Sequence, residues 1–244
     1  MSELIPIPGF FEPFSSLSHL LGAVVCTAAS VWLLRKGRGN TARVMSLAAF
    51  CCGAVLLLSI SGLYHLLSPT GSARAIARRL DHAAIFVLIA SSFTPAHTIL
   101  FRGWGRGGAL VLIWCLAISG IAVKMIYFHQ MPHWVGLGLY LGMGWLGSFS
   151  SFALWRRYGF GFVQPVFWGG LAYTIGCIIE GLHSPVLIAG VVQSHELLHV
   201  AVLIGLCCHW VFNYQIADGR VAGRYVNRDY SSPDLDELSK VAAS

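Results

Sequence analysis

Seven separate stretches of this chain are apolar over about the 20 residues that a helix needs to cross the hydrocarbon layer of a bilayer. They run near Leu17 to Leu34, Val44 to Leu67, Leu80 to Leu100, Ala109 to Ile126, Val135 to Trp155, Phe162 to Ile179 and Val191 to Tyr214. In lipid every backbone amide must find its partner within the segment or a closed barrel, so runs of this length fold as helices. Composition excludes a water-soluble globule: only 11% of the 244 residues are charged, against about 25% in an ordinary soluble domain. The expected fold is all-α, a polytopic seven-transmembrane helix bundle over residues 17–214. An N-terminal segment, 1–16, precedes it and a flexible C-terminal tail, 215–244, follows.

Turn-forming and charged residues separate the runs, as in Arg35-Lys36-Gly37-Arg38-Gly39 and Ser68-Pro69-Thr70-Gly71. Gly136, Gly138, Gly142 and Gly144 fall inside the fifth run, where small residues predict close helix approach and not a break. No internal repeat is present, which disfavours a transporter built from duplicated halves. Glu3 and Glu12, and no basic residue, precede the first run, so no cleaved secretory signal is expected. Of the 16 Lys and Arg residues, 12 lie in the first, third and fifth loops and the tail. The positive-inside rule then predicts a multi-pass cell-membrane protein with its N-terminus outside and its C-terminus cytoplasmic. The same bias accounts for the net charge of +6. No basic stripe with interleaved aromatics points to nucleic acid. The seven cysteines lie in apolar runs without C-x-x-C spacing and are expected to be small buried apolar residues. Trp32, Trp104, Trp134, Trp155, Trp168 and Trp210 fall near span ends, as an interfacial belt requires.

Ionisable groups inside the bilayer usually line an internal site, and here they collect at one end of the bundle. Ser61 and His65 close the second run, Asp81 opens the third, Glu180 closes the sixth, and His195, Glu196 and His199 open the seventh. In an antiparallel chain all of these share one membrane face. Ser61 and His65 are four apart, as are His195 and His199, so each pair occupies one helix face. Two histidines at that spacing suit zinc, and a catalytic zinc commonly has three protein ligands with a fourth position open. His65 is the third candidate nitrogen, and Asp81 the carboxylate that balances the charge. Glu196 completes a literal H-E-x-x-H, which admits a metalloprotease reading or a helix-starting role. Glu180 forms a polar wall or reaches to the interface. His82 packs beside Asp81, whereas interfacial solvation accounts for His19, His129, His133 and His183. His97 and His209 lie toward the opposite face.

Taken together, Ser61 and His65 in the second span, Arg79-Leu80-Asp81-His82 followed by Phe86 to Ala90 and Thr94-Pro95 in the third, and His195 with His199 in the seventh resemble the hemolysin III family. That family belongs with the progestin and adipoQ receptors, including the adiponectin receptors, and more distantly with alkaline ceramidases. The resemblance covers essentially all seven spans. It implies a zinc ion held by His65, His195 and His199, with Asp81 reaching it through water and Ser61 close by. It also implies ceramidase-like hydrolysis of a lipid amide. Adiponectin receptors keep the N-terminus in the cytoplasm, and the loop charges here predict the reverse.

Zinc with an open position brings the pKa of water from 15.7 to about 7 and polarises carbonyls, so hydrolysis of a lipid amide or ester by Asp81 as base and Ser61 as orienting donor follows. The expected partner is a membrane lipid with a ceramide-like substrate bond. Two other classes compete: a receptor-like lipid or peptide sensor with structural zinc, and a haemolytic pore. No regular polar stripe through the spans supports the pore.

Overall fold

Local chemistry sets where each helix begins. Pro13, whose missing N–H would be unpaired in any case, opens α1 (Pro13–Lys36). The Asn40 side chain accepts from the Arg43 amide to start α2 (Thr41–Leu66). There follow α3 (Ser72–Leu100), α4 (Trp104–Ile126), α5 (His133–Trp145), α6 (Gly147–Tyr158), α7 (Phe160–Leu182) and α8 (Ser194–Ile216). This computed structural model describes residues 5–220, and the expectations for the tail beyond Arg220 lie outside the described residues. Among the described residues there is no strand, only two isolated bridges. Among the described residues seven helical stretches are long and apolar enough to cross a membrane, α5 and α6 together forming the fifth.

Two expectations about the spans are corrected. The third helix begins at Ser72 and not near Leu80, so Arg74, Arg78 and Arg79 are helical. The helix continues past the apolar run because its outer turns sit where long cationic side chains can reach water. The fifth crossing runs on through Leu146, whose backbone stays in the right-handed helical region between α5 and α6, but its glycines do not serve close packing. A Cβ added at Gly138, Gly142 or Gly144 would meet nothing within 4 Å, so these glycines serve no close approach. Of the four, only Gly136 faces a neighbour, the Lys124 ammonium at 3.0 Å.

Helix α1 packs on α2 and α8, α2 on α3, α3 on α4, and α7 on α8. The largest buried cluster joins Leu47, Phe50, Leu57 and Leu58 of α2 with Leu88 of α3 and Leu206 of α8. Lipid tails are as apolar as these side chains, so close packing, not expulsion from water, holds the helices together. At Gly62 the approach is tightest near the site: an added Cβ would lie 2.7 Å from Leu20 Cγ and 3.1 Å from the Leu20 backbone nitrogen.

The cysteines do not behave uniformly. Cys26 and Cys51 are buried, but Cys52, Cys115 and Cys207 face outward, toward lipid, which solvates a thiol as readily as a core does. Trp104 and Trp134 are largely exposed at the ends of their helices. Trp210, in contrast, packs against the main core and stacks on Tyr214.

Candidate metal centre

The ends of α2 and the start of α8 meet at one depth, with the start of α1 beside them. Helical spacing puts Ser61 and His65 on the inward face of α2, where they are 2% and 1% exposed. On α8 the same spacing turns His195 and His199 to one side. The three Nε2 atoms converge: His195 is 3.3 Å from His65 and 3.1 Å from His199. These are the donors the sequence predicts. At a Zn–N bond of 2.0–2.1 Å, tetrahedral ligands lie about 3.3–3.4 Å apart. The His195 nitrogen therefore stands from each of its two neighbours at about the separation that one ion of this size requires, all three donors lie within 4.8 Å of one another, and the triad could hold a metal.

Each ring is aimed by its other nitrogen or its face. His65 Nδ1 donates to Glu12 Oε2, and Arg74 donates to Glu12 Oε1. His195 Nδ1 lies 3.3 Å from Glu180 Oε1. A carboxylate on Nδ1 fixes the tautomer that leaves the Nε2 lone pair free for a metal and raises its basicity. His199 instead rests face to face on His19, with ring centroids 3.9 Å apart. Burial raises the affinity of the Glu12 carboxyl for its proton, yet the bonds from His65 and Arg74 outweigh this and hold its pKa at about 2. Glu12 is thus an anion beside the triad.

Asp81 of α3 reaches the same region. Its carboxyl interacts with the Ser61 hydroxyl and with His195, and Tyr140 is a further neighbour. The triad is open on one side only: the His195 side chain is 34% exposed, whereas His65 and His199 are 1% and 5% exposed. All five residues predicted for the site therefore come together.

The remaining polar groups divide. Glu196 is occupied elsewhere: Oε2 accepts from the Gln193 amide and Oε1 from the Ser15 hydroxyl, each at 3.0 Å. It is the acidic half of a capping box, and both oxygens are engaged by Gln193 and Ser15, against the metalloprotease reading. Glu180 is a buried wall of the site, shared between His195 and His133. His19 departs from expectation, being 3% exposed. It faces inward because its ring covers His199. His129 pairs with Arg79 at the surface, and His82 bonds the Arg78 carbonyl. His97 is fixed between the Gly105 carbonyl and Ser150, far from the triad in the fold. Sequence reasoning missed Glu12 as a site residue. The available signal was an acid directly before Pro13, at the depth of His65.

A family model described as "Haemolysin-III related" matches residues 11–210. The chain is 29% identical over 169 residues to the hemolysin-3 homolog of Bacillus subtilis (strain 168), covering 68% of this chain and 78% of the relative. It is also 29% identical over 170 residues to hemolysin-3 of Bacillus cereus, covering 68% and 76%. A plant relative, heptahelical transmembrane protein 4 of Arabidopsis thaliana, is 29% identical over 184 residues, covering 66% of this chain and 46% of that protein.

Proposed function

The chain belongs to the haemolysin-III-related family of the progestin and adipoQ receptor group, and from that premise we propose that it is a zinc-dependent hydrolase of lipid amides or esters, ceramidase-like in its chemistry. The observation that carries this reading is the convergence of three imidazole nitrogens within 4.8 Å of one another, His195 standing 3.3 and 3.1 Å from His65 and His199, beside a carboxyl that no ion pair consumes among the described residues, Asp81.

His65, His195 and His199 would hold the ion, with Glu12 and Glu180 keeping two of the rings in register. When bound, zinc supplies a Lewis acid that makes water acidic near neutral pH and polarises a carbonyl. The Asp81 carboxylate takes a proton from the attacking water and returns it to the leaving amine or alkoxide. The Ser61 hydroxyl orients that carboxyl through their contact on the inner face of α2 and α3. The open side at His195 is where a scissile bond can approach. The membrane itself supplies the substrate class, a lipid whose amide or ester lies near the headgroup.

Metal analysis of the purified protein, paired with hydrolysis of ceramides and lipid esters, tests the proposal. Asp81→Asn is expected to keep zinc and lose turnover, and His195→Ala to lose zinc. Turnover by Asp81→Asn equal to the unaltered protein would refute the base role. The burial of His65 and His199 favours a second reading, in which the ion is a structural clamp in a lipid sensor. Full zinc occupancy without hydrolysis of any lipid amide or ester would select it.

A further inference from the structure

A second polar assembly lies on the same membrane face, outside the triad, and it is cationic. Lys124 at the end of α4 is 6% exposed. Its ammonium has one polar partner, the Met131 sulfur at 3.7 Å. A charge removed from water without an opposite charge is strongly unfavourable. Its charged neighbour makes this worse, since it is Arg78 of α3, and the nearby imidazoles of His82 and His133 bring no negative charge. Among the described residues no carboxylate lies within ion-pair distance of Lys124, Arg78 or Arg79.

The arrangement is centred on one aromatic ring. The Arg78 and Arg79 guanidinium carbons and the Lys124 nitrogen lie 5.5, 5.4 and 5.6 Å from the Phe128 ring centre. The face of Phe128 attracts cations, but a neutral ring cannot balance three of them. Gly136 contributes by having no side chain: a Cβ there would stand 3.0 Å from the ammonium. Arg78 and Arg79 are exposed, so the cluster opens outward. Three converging cations, one of them buried, an apolar ring between them and lipid alongside together specify the missing partner. It is an oxyanion attached to an apolar body.

We propose that Lys124, Arg78 and Arg79 form a binding site for the phosphate of an anionic lipid headgroup, with Phe128 beneath it. Guanidinium groups bond phosphate oxygens in pairs, and Lys124 adds a buried point charge. Arg78 lies three residues before Asp81, about one helical turn or roughly 4.5 Å along α3. A lipid held here therefore has its acyl linkages beside the metal centre. The site itself does not depend on hydrolysis, and its test is a binding measurement.

The experiment is calorimetric titration of the purified full chain, in a non-ionic detergent, with dihexanoyl phosphatidylglycerol. Dihexanoyl phosphatidylcholine and inorganic phosphate are the comparison ligands. Phosphatidylglycerol is expected to bind, and the other two to bind on the order of tenfold more weakly, because one is neutral overall and the other lacks the apolar body. Arg78→Gln and Lys124→Met are each expected to weaken phosphatidylglycerol about tenfold, the loss of one charge-assisted bond. Arg156→Gln, on the opposite membrane face, is the control that should change nothing. Lys124→Met removes a buried charge, so it is expected to fold, and Arg78→Gln alters an exposed side chain. Equal affinity for the two lipids, inorganic phosphate binding as tightly as phosphatidylglycerol, or both variants binding like the unaltered protein would each overturn the proposal.

Discussion

Replacing Glu12 with alanine tests whether the metal centre is built from outside its ligands. Glu12 accepts from His65 Nδ1 and from Arg74, and it is an anion near the ligand it aims. Removing such a carboxylate from a metal-bound histidine typically weakens metal affinity about 10- to 100-fold, which corresponds to about 1.4–2.7 kcal/mol. Glu12→Gln keeps an oxygen for the Nδ1 hydrogen but gives up the charge and the Arg74 ion pair, so it should fall toward the lower limit. Glu180→Gln acts on a different ligand, His195. The two rings share one ion and stand 3.3 Å apart, so the losses are coupled, and the Glu12→Ala, Glu180→Gln double variant, expected to lose more than either single variant, measures that coupling. Competition against a fluorescent zinc chelator measures all of these on folded protein. Zinc affinity of Glu12→Ala within twofold of the unaltered protein, with helicity intact, would refute the reasoning.

Four further outcomes follow from the same geometry. Glu196→Gln should retain zinc and turnover while lowering thermal stability by about 1 kcal/mol, because this carboxylate caps α8; loss of turnover at full stability would revive it as the base. Gly62→Ala should destabilise by about 1–3 kcal/mol, since the new Cβ meets Leu20 at 2.7 Å; an unchanged melting temperature would show that α1 can move away. Arg43→Lys, on the opposite face, breaks a guanidinium that donates to the Gly37, Arg38 and Asp218 carbonyls. It should lower the melting temperature and leave zinc affinity untouched, and a change in zinc affinity would mean that the two ends are coupled. Removing the metal with a chelator should speed hydrogen exchange at the end of α2 and the start of α8 more than in α4, whereas uniform exchange would argue against a local clasp.

The spans were legible in the sequence because bilayer thickness dictates how long an apolar run must be, and the histidine triad because four-residue spacing settles which side chains share a helix face. Other features depend on contacts that no local pattern encodes. Glu12 meets His65 across 53 positions of sequence. His19 turns inward through the rotation of α1 about its axis, and α1 is apolar almost all round, so composition left that angle open. The glycines of the fifth crossing are ambiguous in sequence because glycine permits two opposite outcomes, close approach or open space. Only the surroundings, nothing within 4 Å of Gly138, Gly142 and Gly144, decide between them. The start of α3 was placed late because the apolar run ends where the helix does not.

His65 and His195 are 130 positions apart, and two of the three nitrogen donors reside on α8, the last helix among the described residues. A nascent chain still emerging from the ribosome, with six crossings already threaded into the bilayer, owns a single one of them. An ion that needs all three donors would therefore be acquired only once α8 is in place, and its capture would report that α8 has been inserted.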